Sequence, residues 1–481
     1  MTWRTFLHSL LLLLAVYLLS GTTADHDLWG HVRFGQDMLA ARTVQVPDTY
    51  SFASDKPWVN HEWLSELLMA ASFNLFGVSG LVLLRLAIVA GVLWLLWSAL
   101  PRHHHFNSIV LSTAALGIFL RAHPIRPQLL SLFMFAIVGL ALYRAEKQRS
   151  LRPLLVIPPV MALWVNFHGG WIVGLGVVGL WGALRMLHAT RRDQVLILML
   201  IVASAGATLL NPYGFGMWMF LAGTVGVERP MIADWQPTYM LPPAFWAPWL
   251  VSAGITVLAV KRRLPPGSWR LFVIAASLGV MAIRVSRLDA FFAIAAVLLL
   301  ARSLSHDPSP SAPPTPTKVY PTLRWSMAVC LIVMCVALTA RASTIPAVPT
   351  LLPDRHVVEF MQQQELRGRI VTWFDWGQYV IWHFGPSLQV SMDGRRETVY
   401  SDEVVSAHLK FYFGERDEWR YADELGAEYI LLPPRLPSVR RLQANGWQTM
   451  CEGSSAVLLA RHAGRRCAGA LATAERQFPE L

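Results

Sequence analysis

Asp25-His26-Asp27 places two carboxylates around a histidine directly after an apolar run, and Leu28-Trp29-Gly30-His31-Val32-Arg33 continues the segment. Such a pair suits two jobs: taking a proton from an acceptor hydroxyl, and holding a divalent cation against a phosphate leaving group. Partial desolvation at a lipid boundary raises a carboxyl pKa toward the range where it accepts a proton near neutrality. Asp27 and Asp25 are therefore the candidate catalytic residues. The competing reading is that Asp25 only caps a helix running from about Leu28 to Leu39. Further along, Trp58-Val59-Asn60-His61-Glu62-Trp63 adds an imidazole and an acid. His31, Arg33, His61 and Glu62 are read as support for the acidic pair, and Asp25, Asp27 and His61 as a candidate site for Mg or Mn.

A second group is basic. Arg85 sits inside an apolar run, where a central Arg costs about 2.5–3.5 kcal/mol on insertion scales. Arg121 and Arg126 bracket His123-Pro124, and Arg284 and Arg287 flank a junction between two runs. Arginines at one membrane face suit a lipid phosphate or pyrophosphate through bidentate, charge-assisted hydrogen bonds. For any one of them, snorkelling or pairing with Asp289, Glu62 or Asp234 is the alternative. In Asn166-Phe167-His168-Gly169-Gly170 the glycines permit close approach, and His168 bonds either a sugar hydroxyl or a neighbouring helix. Trp373-Phe374-Asp375-Trp376 sets aromatics beside a carboxylate, a surface for a hydroxyl-rich acceptor or for packing, with Asp375 placed as a helix N-cap. Asp393-Gly394-Arg395 reads as a turn after a strand, facing the membrane site.

The elements that must position these groups are mostly apolar. Of 481 residues only 15% are charged and 54% are hydrophobic, with 20 Trp and 22 Phe; soluble proteins carry about 25% charge. A soluble enzyme is excluded, and so is a secreted disulfide scaffold, since the chain has four Cys. Apolar spans fall at 5–20, 79–100, 108–120, 128–143, 154–167, 171–187, 194–210, 244–260, 271–284, 289–301 and 325–341. The expected fold is an α-helical polytopic membrane protein with about eleven transmembrane helices and a C-terminal extracytoplasmic α/β domain. Several spans are shorter than the ~20 residues of a straight crossing. The net charge of +11 sits largely in clusters such as Arg144/Lys147/Arg149/Arg152, Arg185/Arg191/Arg192 and Lys261/Arg262/Arg263, the pattern of positive-inside loops. No nucleic-acid recognition module accompanies it, so nucleic acid is not an expected partner. The charge places the N-terminus in the cytoplasm and the C-terminus outside. Residues 1–24 read as an uncleaved first helix, with a cleavable signal as the other reading.

The expected organisation is a membrane module over 1–344 and an outer domain over 345–481. The module includes the first outer loop, 21–78, and a Pro-rich cytoplasmic linker, 303–324. From His61 to Phe76 apolar residues recur at helical spacing, as in an amphipathic helix on a membrane surface. Outer-domain strands are expected at Arg369–Trp373, Leu388–Met392, Glu428–Leu432, Trp447–Cys451 and Ala456–Arg461, and helices at 403–413, 415–425 and 437–445. Cys451 and Cys467 either pair or remain free thiols.

With these motifs in view, the chain resembles the GT-C superfamily of integral-membrane glycosyltransferases, which use polyprenyl-phosphate-linked sugars. Asp27-Leu28-Trp29-Gly30-His31-Val32-Arg33 is similar to the first-loop stretch of oligosaccharyltransferase catalytic subunits. Trp373-Phe374-Asp375-Trp376-Gly377 resembles their W-W-D-Y-G motif, with Phe374 and Trp376 as departures. The order Asp27–His31, His61–Leu64, Arg126–Gln128, Asn166–Gly170 and Asp393–Arg395 resembles uncharacterised bacterial members, which carry a second Trp where Gly30 stands. The resemblance implies a multi-pass protein of the bacterial cytoplasmic (inner) membrane that moves a sugar from a polyprenyl-phosphate donor to an extracytoplasmic glycan, lipid or protein. Arg85, Arg121, Arg126, Arg284 and Arg287 would bind the donor phosphate. His168, Trp373, Asp375, Trp376, Asp393 and Arg395 would serve the acceptor. A non-catalytic, lipid-binding scaffold is the second class and a transporter the third; against the latter, no repeat of the spans is visible.

Overall fold

In the computed structural model, the described residues are 9–44 (without 12, 14, 16 and 18), 48–101, 107–224, 233–305, 321–348, 351–414, 416–462, 464–467 and 476–480. Much of the first expected span and most of the 303–324 linker lie outside them, as do Val46 and Pro47. The chain divides into two compact units, one of residues 1–22 with 82–343 and the other of residues 23–81 with 344–481. Residues 21–78, expected to group with the membrane module, thus fall almost wholly in the unit that contains the C-terminal domain.

Each expected span beyond the first falls on a helix. The number of crossings needs correction. Among the described residues four helices are long and apolar enough to cross a membrane, Trp63–Ala99, Gln128–Gln148, Pro243–Lys261 and Trp325–Ala342, rather than about eleven. The others are too short: the 16 residues of Asn107–Ala122 reach only about 24 Å at 1.5 Å per residue, against a hydrocarbon core of about 30 Å. The protein remains a multi-pass membrane chain. The helix Trp63–Ala99 is two helices joined at Gly77, whose φ of 59° breaks the α-helical geometry, which separates the expected surface helix from the expected span.

The first unit is built around the helix Asp289–Leu304, in which every residue but Arg302 is buried. It packs against the helices Ala247–Lys261, Trp269–Arg284, Asn107–Ala122 and Gln128–Gln148. An apolar run with small residues on all sides (Ala290, Ala293, Ala296, Ala301) suits such a central place.

The second unit carries a mixed sheet. Strands β1 (Pro346–Ala347), β2 (Gly368–Thr372), β3 (Leu388–Val390), β4 (Tyr429–Leu432), β5 (Gln448–Glu452), β6 (Val457–Ala460) and β7 (Arg476–Gln477) form a two-stranded β1-β7 pair and a five-stranded sheet in the order β3-β2-β4-β6-β5. β2 runs parallel to β3 and β4, and β6 antiparallel to β4 and β5. Both faces are covered, which is why the strands read as nearly continuous apolar runs. Ile370, Val390, Leu431 and Leu458 face one core with Val357, Trp376 and Val380. Val371, Ile430 and Leu459 face another with Tyr412, Val439 and Trp447. The expected helices at 403–413 and 437–445 appear as Asp402–Phe413 and Pro437–Ala444, while 415–425 is a 3-10 turn, Asp417–Arg420, followed by Tyr421–Glu424.

The first loop joins this unit through its backbone. The Val390 N–H donates to the Tyr50 carbonyl at 2.9 Å and the Phe52 N–H to the Val390 carbonyl at 3.2 Å, so residues 50–52 cover the β3 edge. That satisfies groups an edge strand would otherwise leave open. Cys451 and Cys467 are disulfide-bonded.

Candidate functional site

The acidic pair separates by geometry. The Leu28 N–H donates to Asp25 Oδ1 at 3.1 Å, so Asp25 caps the helix Leu28–Ala41, satisfying one of its unpaired donors. Asp27 stands at the end of that helix without a side-chain cap bond. Burial raises the Asp27 carboxyl above its usual range, against the pull of His31 and His26, and Glu62 and Asp375 push it the same way as burial. It is therefore the better proton acceptor near neutrality.

One turn into the helix, His31 Nδ1 is 3.1 Å from Glu66 Oε1 and 4.0 Å from Glu62 Oε2. Asn60 Nδ2 donates to the other Glu66 oxygen at 2.6 Å. Burial opposes the imidazolium, but the Glu66 hydrogen bond and the charges of Glu62, Glu66 and Asp27 outweigh it and hold His31 at about 9. His31 is thus a cation at neutral pH, donating to Glu66. Glu66 and Asn60 carry no role in the sequence reading. The signal that finds Glu66 is its spacing: it stands four residues after Glu62, which immediately precedes the helix, and the Glu66 N–H donates to the Glu62 carbonyl at 3.0 Å.

His31, Glu62 and Glu66 offer one ligand atom each, all within 4.8 Å of one another, as do His356, Cys451 and Cys467. The disulfide occupies both thiols of the second group, leaving the first as the candidate metal centre among the described residues. One imidazole and two carboxylates are a fitting donor set for a divalent ion such as Mn. The expected set of Asp25, Asp27 and His61 is not among these groups: Asp25 holds the helix cap, and His61 Nε2 lies 3.6 Å from Glu62 Oε1. Arg33 is engaged with Asp37 at 2.9 Å.

Asp393 and Arg395 answer each other rather than an open surface. Arg395 Nε and Nη2 donate to the two Asp393 oxygens at 2.9 and 2.7 Å, and Arg395 pairs with Asp48 at 3.0 Å. The guanidinium is enclosed by the Phe34, Tyr50 and Trp58 rings at 5.2, 5.2 and 4.9 Å. This network ties the first loop to β3.

Asp375 does not cap the helix Gly377–Phe384; Trp373 Nε1 donates to it at 3.2 Å, within a 3-10 turn, Phe374–Trp376. Trp373, Asp375 and Trp376 line a cavity of about 290 Å³ with His26, Arg435 and Ser454. An aromatic wall beside hydroxyls and charges of both signs is chemistry for one sugar ring or a fragment of similar size.

In the first unit the arginines bracket Asp234. Arg121 bonds Asp234, and its Nε donates to Asp289 at 3.0 Å; Arg126 Nη1 donates to Asp234 at 3.2 Å. Burial raises the Asp234 carboxyl, but Arg121, Arg126 and Arg287 outweigh it and hold it below the ordinary range. Two arginines thus share two carboxylates. Arg287 Nη2 donates to Gln128 at 2.9 Å and stacks on Trp235 at 4.7 Å, whereas Arg284 is exposed. Arg85 is fully buried within its helix.

His168 Nδ1 receives the Gly170 N–H at 2.9 Å and lies 2.8 Å from Ser131 Oγ, which itself accepts from Trp164 Nε1 at 2.7 Å. A ring nitrogen that accepts a backbone N–H leaves the proton of a neutral imidazole on the other nitrogen.

No protein-family model matches the chain. No curated protein matches it either. Among solved structures it is similar to ArnT from Cupriavidus metallidurans in the apo state, at 14% identity and a TM-score of 0.55 over 96% of this chain and 98% of that one. The same protein bound to undecaprenyl phosphate gives 13% identity and a TM-score of 0.51 over 97% and 98%. At such identity the likeness is one of fold: the chain has the fold of the GT-C membrane glycosyltransferases.

Proposed function

We propose that this chain, having the GT-C fold, transfers a sugar from a polyprenyl-phosphate carrier to a hydroxyl acceptor on the extracytoplasmic side of the bacterial inner membrane. The observation that carries the reading is Asp27: a carboxyl that burial raises above its usual range, with the charge of Asp375, on the wall of the 290 Å³ cavity, pushing it the same way. The acceptor O–H gives its proton to Asp27. Its oxygen bonds to the anomeric carbon, and the bond from that carbon to the phosphate oxygen breaks, so that the polyprenyl phosphate leaves with the electron pair. His31, a cation among three acids, keeps Asp27 partly ionised and fixes the helix that presents it.

The ligand of the similar ArnT structure, undecaprenyl phosphate, supports a polyprenyl phosphate as the carrier. In this reading Arg85, Arg121, Arg126, Arg284 and Arg287 supply the positive field for that phosphate, with Arg121 and Arg126 restrained by Asp234 and Asp289. Trp373, Asp375 and Trp376 take the acceptor. Where a divalent cation binds, His31, Glu62 and Glu66 would hold it, and it would supply Lewis-acid charge near Asp27. The Cys451–Cys467 disulfide supports an oxidising, extracytoplasmic location for its unit.

The test is donor consumption, followed by mass spectrometry, on purified protein given a panel of polyprenyl-phosphate sugars. Asp27→Asn is expected to lose roughly 10²–10⁴-fold in turnover, the usual worth of a general base. Asp25→Asn, a cap change, is expected to retain most of it. The reverse order, or turnover unaffected by either, removes Asp27 from the reaction. Wild type without turnover for any donor favours the scaffold class.

A further inference from the structure

The Cys451–Cys467 disulfide has a histidine beside it. His356 stands in the first turn of the helix Arg355–Gln363, and a ring nitrogen of it lies within 4.8 Å of both sulfurs. Its Nε2 is 3.2 Å from the Glu452 carbonyl. That oxygen only accepts, so in the neutral ring the N–H is on Nε2 and the lone pair on Nδ1. An imidazole with one N–H fixed by a backbone carbonyl is the usual state of a metal-bound histidine. Gly453 leaves room for the ring: a Cβ there would lie 2.8 Å from His356 Cε1.

The three groups come from separate stretches, and bonds other than the disulfide hold those stretches together. Asp354, at the start of the helix, accepts from Ser454 Oγ at 2.9 Å and from the Ser455 and Ala456 N–H groups at 2.7 Å each. The helix is thereby fixed to the turn between β5 and β6. The Cys467 N–H donates to the Met450 carbonyl at 2.9 Å, which keeps Cys467 on β5 whatever the state of its sulfur. Cys451 is 1% exposed and Cys467 is half-buried, so a reductant meets Cys467 first. Arg465 and Arg466, both exposed, immediately precede it. Cations next to a thiol favour its thiolate, the form that binds metals.

We propose that Cys451, Cys467 and His356 become a zinc site when the disulfide is reduced, with two thiolates and an imidazole as ligands and a water in the fourth position. Zn–S of about 2.3 Å and Zn–N of about 2.1 Å put tetrahedral ligand atoms about 3.5–3.8 Å apart. Once unbonded, the sulfurs reach that spacing by rotation of their own side chains. A dithiol reductant gives two electrons and two protons to the disulfide and itself becomes a disulfide. Zinc then displaces both thiol protons into water, and the two thiolates balance its charge. Sulfur donors select zinc over Mg or Mn, so this centre and the His31–Glu62–Glu66 group suit different ions. In an oxidising compartment the disulfide is the resting form. On reduction, the metal takes its place and adds a tie from the helix Arg355–Gln363 to the β5–β6 hairpin, whose turn carries Ser454 and Ser455 on the cavity wall. The proposal is independent of the sugar-transfer reading.

The test uses the full chain in an uncharged detergent, carrying Cys330→Ala and Cys335→Ala so that only this pair supplies thiolate. The disulfide is opened with a water-soluble trialkylphosphine. The phosphine becomes its oxide as water supplies the oxygen and the two thiol protons, and no competing thiol is added. Cobalt(II) is then titrated in as the probe. Reduced protein is expected to show thiolate-to-cobalt charge-transfer absorption and the intense visible bands of a tetrahedral ion, both erased by Zn(II). Oxidised protein is expected to show neither, because a site of carboxylates and imidazole gives no thiolate band. His356→Ala is expected to weaken cobalt binding by about 100-fold or more, beyond the roughly 10- to 100-fold that loss of an outer-shell partner costs. If His356→Ala fails to fold, Cys467→Ser serves, and it should lose the thiolate bands in either redox state. Circular dichroism separates a failed site from a failed fold. A reduced, folded chain without thiolate bands overturns the proposal, and so does an unchanged affinity in His356→Ala or in Cys467→Ser. A reduced chain that unfolds and is not restored by zinc, or a disulfide that the phosphine opens only in denaturant, overturns it as well.

Discussion

Gln378 lies where Gly30 would carry a side chain: a Cβ built on Gly30 falls 2.0 Å from Gln378 Oε1 and 2.3 Å from its Cδ. The Gln378 side chain passes on toward Gly394, whose own Cβ position is 2.7 Å from Gln378 Nε2 and 2.2 Å from Asp27 Oδ1. Gly30 therefore leaves room for an amide beside the proposed base, which gives its departure from the second Trp of the resembling proteins a steric meaning.

That room is testable. Gln378 is only 3% exposed, so its end cannot swing into water to admit a methyl group. Gly30→Ala is expected to cost about 1–3 kcal/mol, the usual range for overpacking, and Gly30→Trp more. Adding Gln378→Gly should recover part of the loss, and a double-mutant cycle on thermal or denaturant unfolding measures the coupling. Additive effects would show that the two side chains do not compete for one space.

His31 predicts a pH dependence of stability. Its folded pKa of about 9 stands above the 6.5 of an unperturbed imidazole. A group raised by folding stabilises fully below the unfolded value and loses that contribution as pH rises through the folded one. Stability is therefore expected to fall between about pH 6.5 and 9, by a few kcal/mol at most. His31→Gln should flatten this slope; an unchanged slope would place the titration elsewhere. Activity moves oppositely on its acid limb, because Asp27 must lose its proton to act as a base.

Much of this architecture is legible in hydropathy. The helices beyond the first span and the five strands of the larger sheet fall where apolar period and turn residues place them, whereas the β1-β7 pair has no such signal. The crossing number is less legible, because an apolar run reads alike whether lipid or protein covers it. Asp289–Leu304 is apolar on all sides as the core of its unit. The union of 23–81 with 344–481 is not legible either. It rests on Tyr50 meeting Val390 and Asp48 meeting Arg395, pairs that no local period encodes. At the candidate site the residue types were readable, but not their division of labour: that Asp25 caps while Asp27 does not depends on backbone geometry at one helix start.

Gly170 is expected to be intolerant of a side chain. Its Cβ position lies 2.6 Å from Ser131 Oγ and 3.1 Å from His168 Nδ1, inside the hydrogen-bonded group that orients His168. Gly170→Ala should push Ser131 and His168 apart and strand the buried Trp164 N–H. The expected loss is about 1–3 kcal/mol, read by thermal unfolding. Ser131→Ala strands the same donor without crowding and should cost no more than Gly170→Ala; a larger loss would show that crowding is not the problem.

Arg395 gives the sharpest stability test. Asp393 is fully buried and Asp48 shares the same guanidinium. Arg395→Met removes the cation and leaves carboxylates inside an aromatic enclosure, a change that typically costs 3–5 kcal/mol in a buried pair. Asp393→Asn keeps a hydrogen-bond acceptor for Arg395, and Asp48 still balances its charge, so its cost should be smaller. Because this network pins the first loop to β3, Arg395→Met should also open residues 48–60 to hydrogen exchange ahead of the sheet. Loss of protection in the loop and the sheet together would mean that the second unit unfolds as one body, with no separate anchoring role for Arg395.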